Sequence, residues 1–324
     1  MRGIFTWLTG LALLSGCAQG GSLALQLVHA QFDRPFDGVT QFQLRTLNAE
    51  FEEVQRVETD AANQGDLELG SIDSGERRLE ILGLGAGGAV LARGQSRPLT
   101  LEANSTARER VPFATLEVAV ALPANQPITV DGDLADWDAS PALVLDRRHL
   151  VAGTLAAGTD LRAELYLAWS ANQLAFALVV EDDCPALRTG LAAGTCGTAT
   201  AAERVLIGFD GTDDGGDLYG AGDLWLQITA TSLTVLRGSV TPAQLAVVMA
   251  PRSDLGGWVL EGSIRVQALG RSTLTPADRV GFDLVLIDAD PSDKDPAAVR
   301  WSGAASPPTQ PTLPSQMGTM GFGS

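Results

Sequence analysis

Residues 160–180 read Asp160-Leu-Arg-Ala-Glu-Leu-Tyr-Leu-Ala-Trp169-Ser-Ala-Asn-Gln173-Leu-Ala-Phe-Ala-Leu-Val-Val180. In the first half, Leu161, Leu165, Leu167 and Trp169 alternate with Arg162, Glu164 and Tyr166. A period of two sends successive side chains to opposite faces, so this stretch predicts a half-buried strand. Ser170 to Gln173 predicts a turn, and Leu174 to Val180, apolar on both faces, predicts a strand in the middle of its sheet. Further strands are expected at Val205–Phe209, Leu224–Thr229, Leu233–Leu236, Trp258–Val266 and Val280–Ile287. Helical periodicity is nearly absent, apart from one turn expected at Pro242–Val247. From about Leu116 onward the chain reads as an antiparallel β-sandwich.

The upstream block, Leu23 to about Pro112, also has period two: Leu23, Leu25 and Leu27, then Phe42 and Leu44. Leu79–Leu84 leads through Gly85-Ala86-Gly87-Gly88 into Ala89–Arg93, a hairpin with a glycine-rich turn. Short strands at this spacing suggest a second sandwich. The stretch Gly75-Glu76-Arg77-Arg78-Leu79-Glu80 resembles the strand pairs of immunoglobulin-like or fibronectin-like domains, which implies a spacer; an independent binding role is the alternative. The fold class expected is therefore all-β, two sandwiches.

Ahead of both, Arg2 is followed by an apolar run from Ile4 to Leu14 and then Leu14-Ser15-Gly16-Cys17. One positive charge, a short hydrophobic core and small residues before a cleavage point make an export signal, and the run is too short to span a bilayer. Leu-Ser-Gly-Cys resembles the bacterial lipobox, which implies that residues 1–16 are removed and that Cys17 carries lipid, palmitate included. Ala18-Gln19 lacks the aspartate of an inner-membrane retention signal, so the outer membrane is the expected address. The organisation expected is signal peptide 1–16, lipidated cysteine and tether 17–22, spacer 23–114 and ligand-binding sandwich 116–324.

Asp and Glu number 39 against 22 Lys and Arg, a formal charge of −17. Such a chain repels phosphate backbones, so nucleic acid is excluded as a partner. Cys184 and Cys196 bracket a short Gly-rich loop in an exported chain and are expected to pair as a disulfide.

Four segments in order resemble the family 9 carbohydrate-binding modules and the related sugar-binding or haem-binding sandwiches. They are Ile128-Thr-Val-Asp131-Gly132-Asp133-Leu134-Ala-Asp136-Trp137, then Leu165 to Asp182, then Trp258-Val-Leu-Glu261-Gly-Ser-Ile264, and finally Gly281-Phe282-Asp283 to Asp290 followed by Arg300-Trp301. The resemblance implies a jelly-roll sandwich, a glycan or other ligand, and structural calcium. It also implies two tryptophans clamping a sugar, one in the loop before Glu203–Phe209 and one in the loop before the C-terminal glycine strand. Neither Cys184–Ala202 nor Ser302–Gln316 contains an aromatic residue. The sequence thus leaves two readings open: glycan binding by other residues, or a sandwich that has lost sugar binding and packs against a protein partner.

Among the tryptophans, Trp137, Trp169, Trp258 and Trp301 read as core. Trp225 lies opposite Leu224 and Leu226, on the face carrying Gln227 and Thr229, so Trp225 and Gln227 are expected to form an exposed ligand platform. Asp210, Asp213, Asp214, Asp217 and Asp223 crowd one Gly-rich loop without a basic residue, and Asp288, Asp290 and Asp293 crowd another. Oxygen donors in flexible loops suit calcium. No nucleophile elbow, zincin motif or phosphate loop is present, and His29 and His149 fall in different blocks, so no catalytic residue is expected. Haem would want axial His or Met, and no spacing supports His149 with Met249.

Overall fold

The computed structural model describes residues 21–48, 51–61, 66–72, 75–102, 104–138, 140–155, 161–182, 204–229, 232–252, 256–289, 296–302, 304 and 307–323. Cys17, Cys184, Cys196, Asp290 and Asp293 lie outside them. The chain is all-β, as its alternation requires: no α-helix occurs among the described residues, only three short 3-10 turns. No helix among those residues is long and apolar enough to cross a membrane.

The first eight strands are β1 (Gly21–Val28), β2 (Val39–Leu47), β3 (Glu53–Asp60), β4 (Asp66–Ile72), β5 (Gly75–Gly85), β6 (Val90–Gln95), β7 (Leu99–Leu101) and β8 (Thr106–Thr115). They form one curled sheet in the order β3-β2-β5-β6-β8-β1-β4, with β7 on β5. β1 runs parallel to β8 and antiparallel to β4. Leu23, Leu25, Phe42, Leu44, Ile81 and Phe113 fill the inside of the curl. Gly21 and Ser22, expected in a flexible tether, already belong to β1, where Ser22 is paired with Thr106. The strand captures them because each residue added to a ladder satisfies backbone groups that a tether leaves to water.

The remaining strands are β9 (Val118–Pro123), β10 (Leu143–Leu145), β11 (Leu150–Ala152), β12 (Leu161–Ser170), β13 (Gln173–Asp182), β14 (Arg204–Asp210), β15 (Asp223–Ile228), β16 (Leu233–Arg237), β17 (Leu245–Arg252), β18 (Gly257–Arg265), β19 (Arg279–Asp288), β20 (Ala297–Arg300) and β21 (Gly318–Phe322). They run β16-β15-β14-β19-β21-β9-β12-β13-β18-β17, with β10 on β12 and β20 joining β19 to β11. The sheet folds over at its centre, where β9 pairs in parallel with both β21 and β12. Its two halves meet face to face: Phe176 of β13 lies 6.2 Å from Phe209 of β14, which lies 5.5 Å from Phe282 of β19. β13, apolar on both faces, is central between β12 and β18 as expected.

Two expectations fail here for the same reason, coverage from outside the segment. β12 is not half-buried; every residue from Leu161 to Ala168 is buried. Its outer face is capped by residues 124–137 and by the first sheet. Pro242–Val247 is not a helical turn; Gln244 closes a turn on Thr241, and β17 then zips onto β18.

Only Leu116 and Glu117 separate β8 from β9, and the two sheets share a polar seam. Gln95 donates to Glu164 at 3.0 Å, Ser140 to Glu109 at 2.6 Å and Arg148 to Glu80 at 3.0 Å. Arg78 pairs with Glu164 at 3.4 Å. The first sheet therefore helps to bury the second.

Candidate functional site

The segment after β9 is locked onto β18 by one carboxylate. Glu261, fully buried, accepts from the backbone N–H groups of Asp131 at 2.9 Å and Gly132 at 2.8 Å, and from Trp137 Nε1 at 2.8 Å. Gly132 has φ +86°, and a Cβ there would stand 2.7 Å from that of Ala250. Only glycine adopts that backbone beside β17 without cost. Trp137 is accordingly core, packed with Tyr166, Ala177, Val179 and Val259. Trp258 and Trp301 are buried as well, and Trp169 is half-buried at the end of β12.

Trp225 is not an exposed platform. It is completely buried, on the outer face of β15, with Leu206, Val285, Ile287 and Ala298. Its ring lies flat over Gly208, where a Cβ would sit 2.3 Å from the indole. Gln227, on the same face, is half-buried. The alternation assigns the face correctly but does not reveal what covers it. Met317 and Tyr219 pack on this face, and the chain between β20 and β21 is strapped to it. Thr312 donates to Asp283, Tyr219 donates to the Thr312 carbonyl at 2.8 Å, and Ser315 donates to Asp217 at 2.7 Å. Asp283 and Arg300 pair beneath at 3.3 Å. Burial pushes the Asp283 carboxyl up and the Arg300 guanidinium down, against their mutual attraction.

The first acidic loop does not converge. Asp210 Oδ1 accepts from the N–H groups of Thr212 at 3.1 Å and Asp213 at 2.9 Å; Asp214 accepts from Gly216 N–H at 3.0 Å and from the Thr212 hydroxyl at 3.1 Å. Asp223 accepts from Gly220 N–H. These carboxylates fold their own turns. Asp210 and Asp223 are brought opposite each other across β14 and β15. Burial, followed by the charge of Asp210, raises the Asp223 carboxyl, and the same two causes raise Asp213. Asp288 is buried at the end of β19. Among the described residues no three acidic, histidine or cysteine side chains converge to hold an ion. His149 has both ring nitrogens engaged, with Arg93 at 2.9 Å and with the Asp146 N–H at 3.3 Å, and Met249 lies on β17.

Among the described residues, depressions that open beside the sandwich include the following. One, of about 540 Å³, lies at the seam among Arg78, Arg97, Trp137, Glu164 and Tyr166. Its polar groups hold one another: Glu164 alone accepts from Gln95, Arg162 and Tyr166. Another, of about 380 Å³, lies beside Trp301, Ser302 and Gln316, but Trp301 is packed between Phe282 and Gly318. The third, of about 370 Å³, lies between residues 124–128 and the β12–β13 turn, rimmed by Asn125, Gln126, Ser170, Asn172 and Gln173.

Comparison with known proteins decides the family. The model of the carbohydrate family 9 binding domain-like family matches residues 130–322. The chain belongs to that family. Solved structures similar to it include a family 9 carbohydrate-binding module from Caldicellulosiruptor kristjanssonii in complex with cellotriose. It is 18% identical, with 63% of this chain and 93% of that one covered and a TM-score of 0.44. The glucose complex of a family 9 module from that organism pairs with this chain at 18% identity, 63% and 95% coverage and a TM-score of 0.43. Among curated proteins nothing matches.

In this family 9 sandwich the first of the four segments that carry the resemblance lies in the connection between β9 and β10, the others fall on β12–β13, β18 and β19–β20, and Glu261 joins the first to the third. The loop before β14 lies outside the described residues; the loop before β21 is the strap over Trp225. The amides around the β12–β13 turn were not singled out in the sequence, where Ser170-Ala171-Asn172-Gln173 reads only as a turn. The signal available was the small pair Ala168 and Ala175 beside it, which leaves room above the sheet.

Proposed function

We propose that the chain is a non-catalytic outer-membrane lipoprotein, anchored through acylated Cys17, whose family 9 sandwich binds a glycan. The observation that carries this reading is the family match over residues 130–322, joined to a sandwich in which Asp131, Gly132 and Trp137, from a segment carrying the resemblance, are all held by Glu261 of another. The absence of catalytic motifs supports a binding role. A glycan array on the soluble 18–324 fragment tests the ligand class: binding to at least one glycan family is expected, and a blank array refutes it. Labelled palmitate should enter the wild type and not Cys17→Ser; equal labelling refutes the anchor. Non-reduced peptide mapping should show Cys184 linked to Cys196.

The filling of the outer face by Trp225 favours a second reading, a sandwich that has lost sugar binding and serves a protein partner. A blank array together with a stoichiometric complex from the native membrane would select it.

A further inference from the structure

The rim of the depression beside the β12–β13 turn is a set of side chains that the fold orients without using up. Asn125 Nδ2 donates to Asp138 at 3.1 Å, Gln126 Nε2 donates to the Asp136 carbonyl at 2.9 Å, and Asn172 Oδ1 accepts from Ser170 at 3.1 Å. The acceptors fix which end of the first two amides is nitrogen, since a carboxylate and a carbonyl both demand a donor. Each anchored amide thus keeps its other end for a ligand: oxygen on Asn125 and Gln126, nitrogen on Asn172. Holding one end fixed lowers the ordering cost of using the other.

The floor is apolar and made of methyl groups. Ala168 and Ala175 face each other across β12 and β13, with Ala124 and Ile128 to one side. One step along the same face, Tyr166 stands where Ala168 stands here, and the space is filled. Every residue lining this depression is uncharged, in a chain of formal charge −17. No cation waits there for an acidic group, and the field of the whole protein repels one. Trp169 contributes to the wall, but its indole donates to the Gly323 carbonyl at 3.2 Å and its ring packs against Phe322 at 5.5 Å. The indole N–H is thereby engaged within the fold.

We propose that this depression is the glycan subsite of the chain and that it takes an uncharged saccharide, held through its hydroxyl groups by Asn125, Gln126, Asn172 and Gln173 over the alanine floor. The inference rests on the glycan-binding reading above and adds the site and the ligand class. It differs from a clamp between two tryptophans in its chemistry. Hydroxyls are read from the side, so an internal unit of a chain serves as well as its end.

The test is calorimetric titration of the 18–324 protein with neutral hexasaccharides of glucose, xylose and mannose, with hexagalacturonate, and with any glycan the array selects. The wild type should bind a neutral saccharide more tightly than hexagalacturonate. Asn172→Ala/Gln173→Ala should weaken it by about tenfold, from two lost hydrogen bonds of modest individual worth, with unchanged melting. The side-chain amide resonances of Asn125, Gln126, Asn172 and Gln173 should shift on titration of the wild type, which keeps the site testable should the double variant misfold. Tighter binding of hexagalacturonate overturns the ligand class. Undiminished binding by the folded double variant, or amide resonances that stay still while ligand binds, overturns the site and leaves the glycan reading standing. A wild type that binds nothing on the array brings down that reading and this site with it.

Discussion

Glutamate 261 is the group whose loss should cost most for the least change in shape. The substitution Glu261→Gln preserves volume and removes one acceptor. In the structure, Oε2 serves two backbone N–H groups and Oε1 serves the Trp137 indole, so both oxygens are taken. Glutamine has one oxygen. Placed toward Asp131 and Gly132, it points its NH2 at the indole N–H; placed the other way, it points NH2 at two backbone donors. Either choice leaves at least one buried donor facing another donor, and all three bonds lose their charge assistance. A hydrogen bond to a charged partner contributes about 1.5–3 kcal/mol and a stranded buried donor costs about 1–3 kcal/mol. The sum, discounted for relaxation, is about 2–5 kcal/mol. For a domain of roughly 150–250 residues each kcal/mol moves the melting midpoint by about 2–4 °C, so a fall of about 5–15 °C is expected. Urea unfolding of wild type and E261Q at matched ionic strength measures it, and hydrogen exchange locates it: the Asp131 and Gly132 amides should exchange faster in the variant. A change below about 0.5 kcal/mol, the range of ordinary surface substitutions, would sink the claim that this carboxylate holds residues 128–137 in place.

The seam makes three further outcomes checkable, together with the acidic loop. Calorimetry of the 18–324 protein should show one cooperative transition, because separating the sheets uncovers Glu164 and Tyr166; two resolved transitions would count against a shared core. Asp223→Asn should stabilise the protein near neutral pH. Burial and Asp210 raise this carboxyl in the folded state, so its favourable contribution is present below the ordinary aspartate value of about 4 and is lost as pH rises through the raised one. The advantage of the variant should accordingly vanish in acid, and an advantage that persists there refutes the pairing. Any rise in melting temperature produced by calcium should survive in Asp213→Asn/Asp214→Asn, because Asp214 already accepts from Gly216 N–H and the Thr212 hydroxyl and no group of ion-holding side chains converges among the described residues; its disappearance would show that these carboxylates hold the ion.

Periodicity identified the strands because it is a local property. Leu174–Val180 could be read as central because both of its faces are apolar, and the turn at Ser170–Gln173 followed from its composition. The errors came where burial is conferred by distant chain. Glu164 and Tyr166 look solvated within β12, yet Gln95 and Arg78 from the first sheet close over them. Trp225 looks exposed beside Gln227, yet a strap nearly a hundred residues downstream covers it, tied by Thr312 and Ser315. The acidic loop is a different case. Aspartates in a Gly-rich loop serve turns as readily as ions, and only the hydrogen-bond directions distinguish the two uses. The resemblance to family 9 modules rests in part on residues that position one another in the structure, chiefly Asp131, Gly132, Trp137 and Glu261.

The subsite proposed beside the β12–β13 turn, with its amide rim over alanines, predicts a dependence of binding on display at a surface. Stacking of an aromatic on a sugar face concentrates affinity in one contact, whereas a few neutral hydrogen bonds over two alanines give a weak single site. Weak sites become effective when copies share a surface, since the second contact with one polymer is intramolecular, and avidity can exceed single-site affinity by about 10²–10⁴. With β1 starting at Gly21, only residues 18–20 would separate an acylated Cys17 from the sheet, a reach of about 10 Å. If Cys17 is acylated as proposed, so short a connection would hold neighbouring copies close to the bilayer. Coupling the 17–324 protein through Cys17 to maleimide-bearing vesicles reproduces this arrangement. A neutral polysaccharide of the selected class should then bind the vesicles at least about a hundredfold more tightly than the soluble protein, while the corresponding hexasaccharide, too short to bridge copies, should bind both alike. An equal gain for the short ligand would trace the effect to the membrane surface itself, and no gain for the polymer at high density would mean that one copy binds as tightly as many.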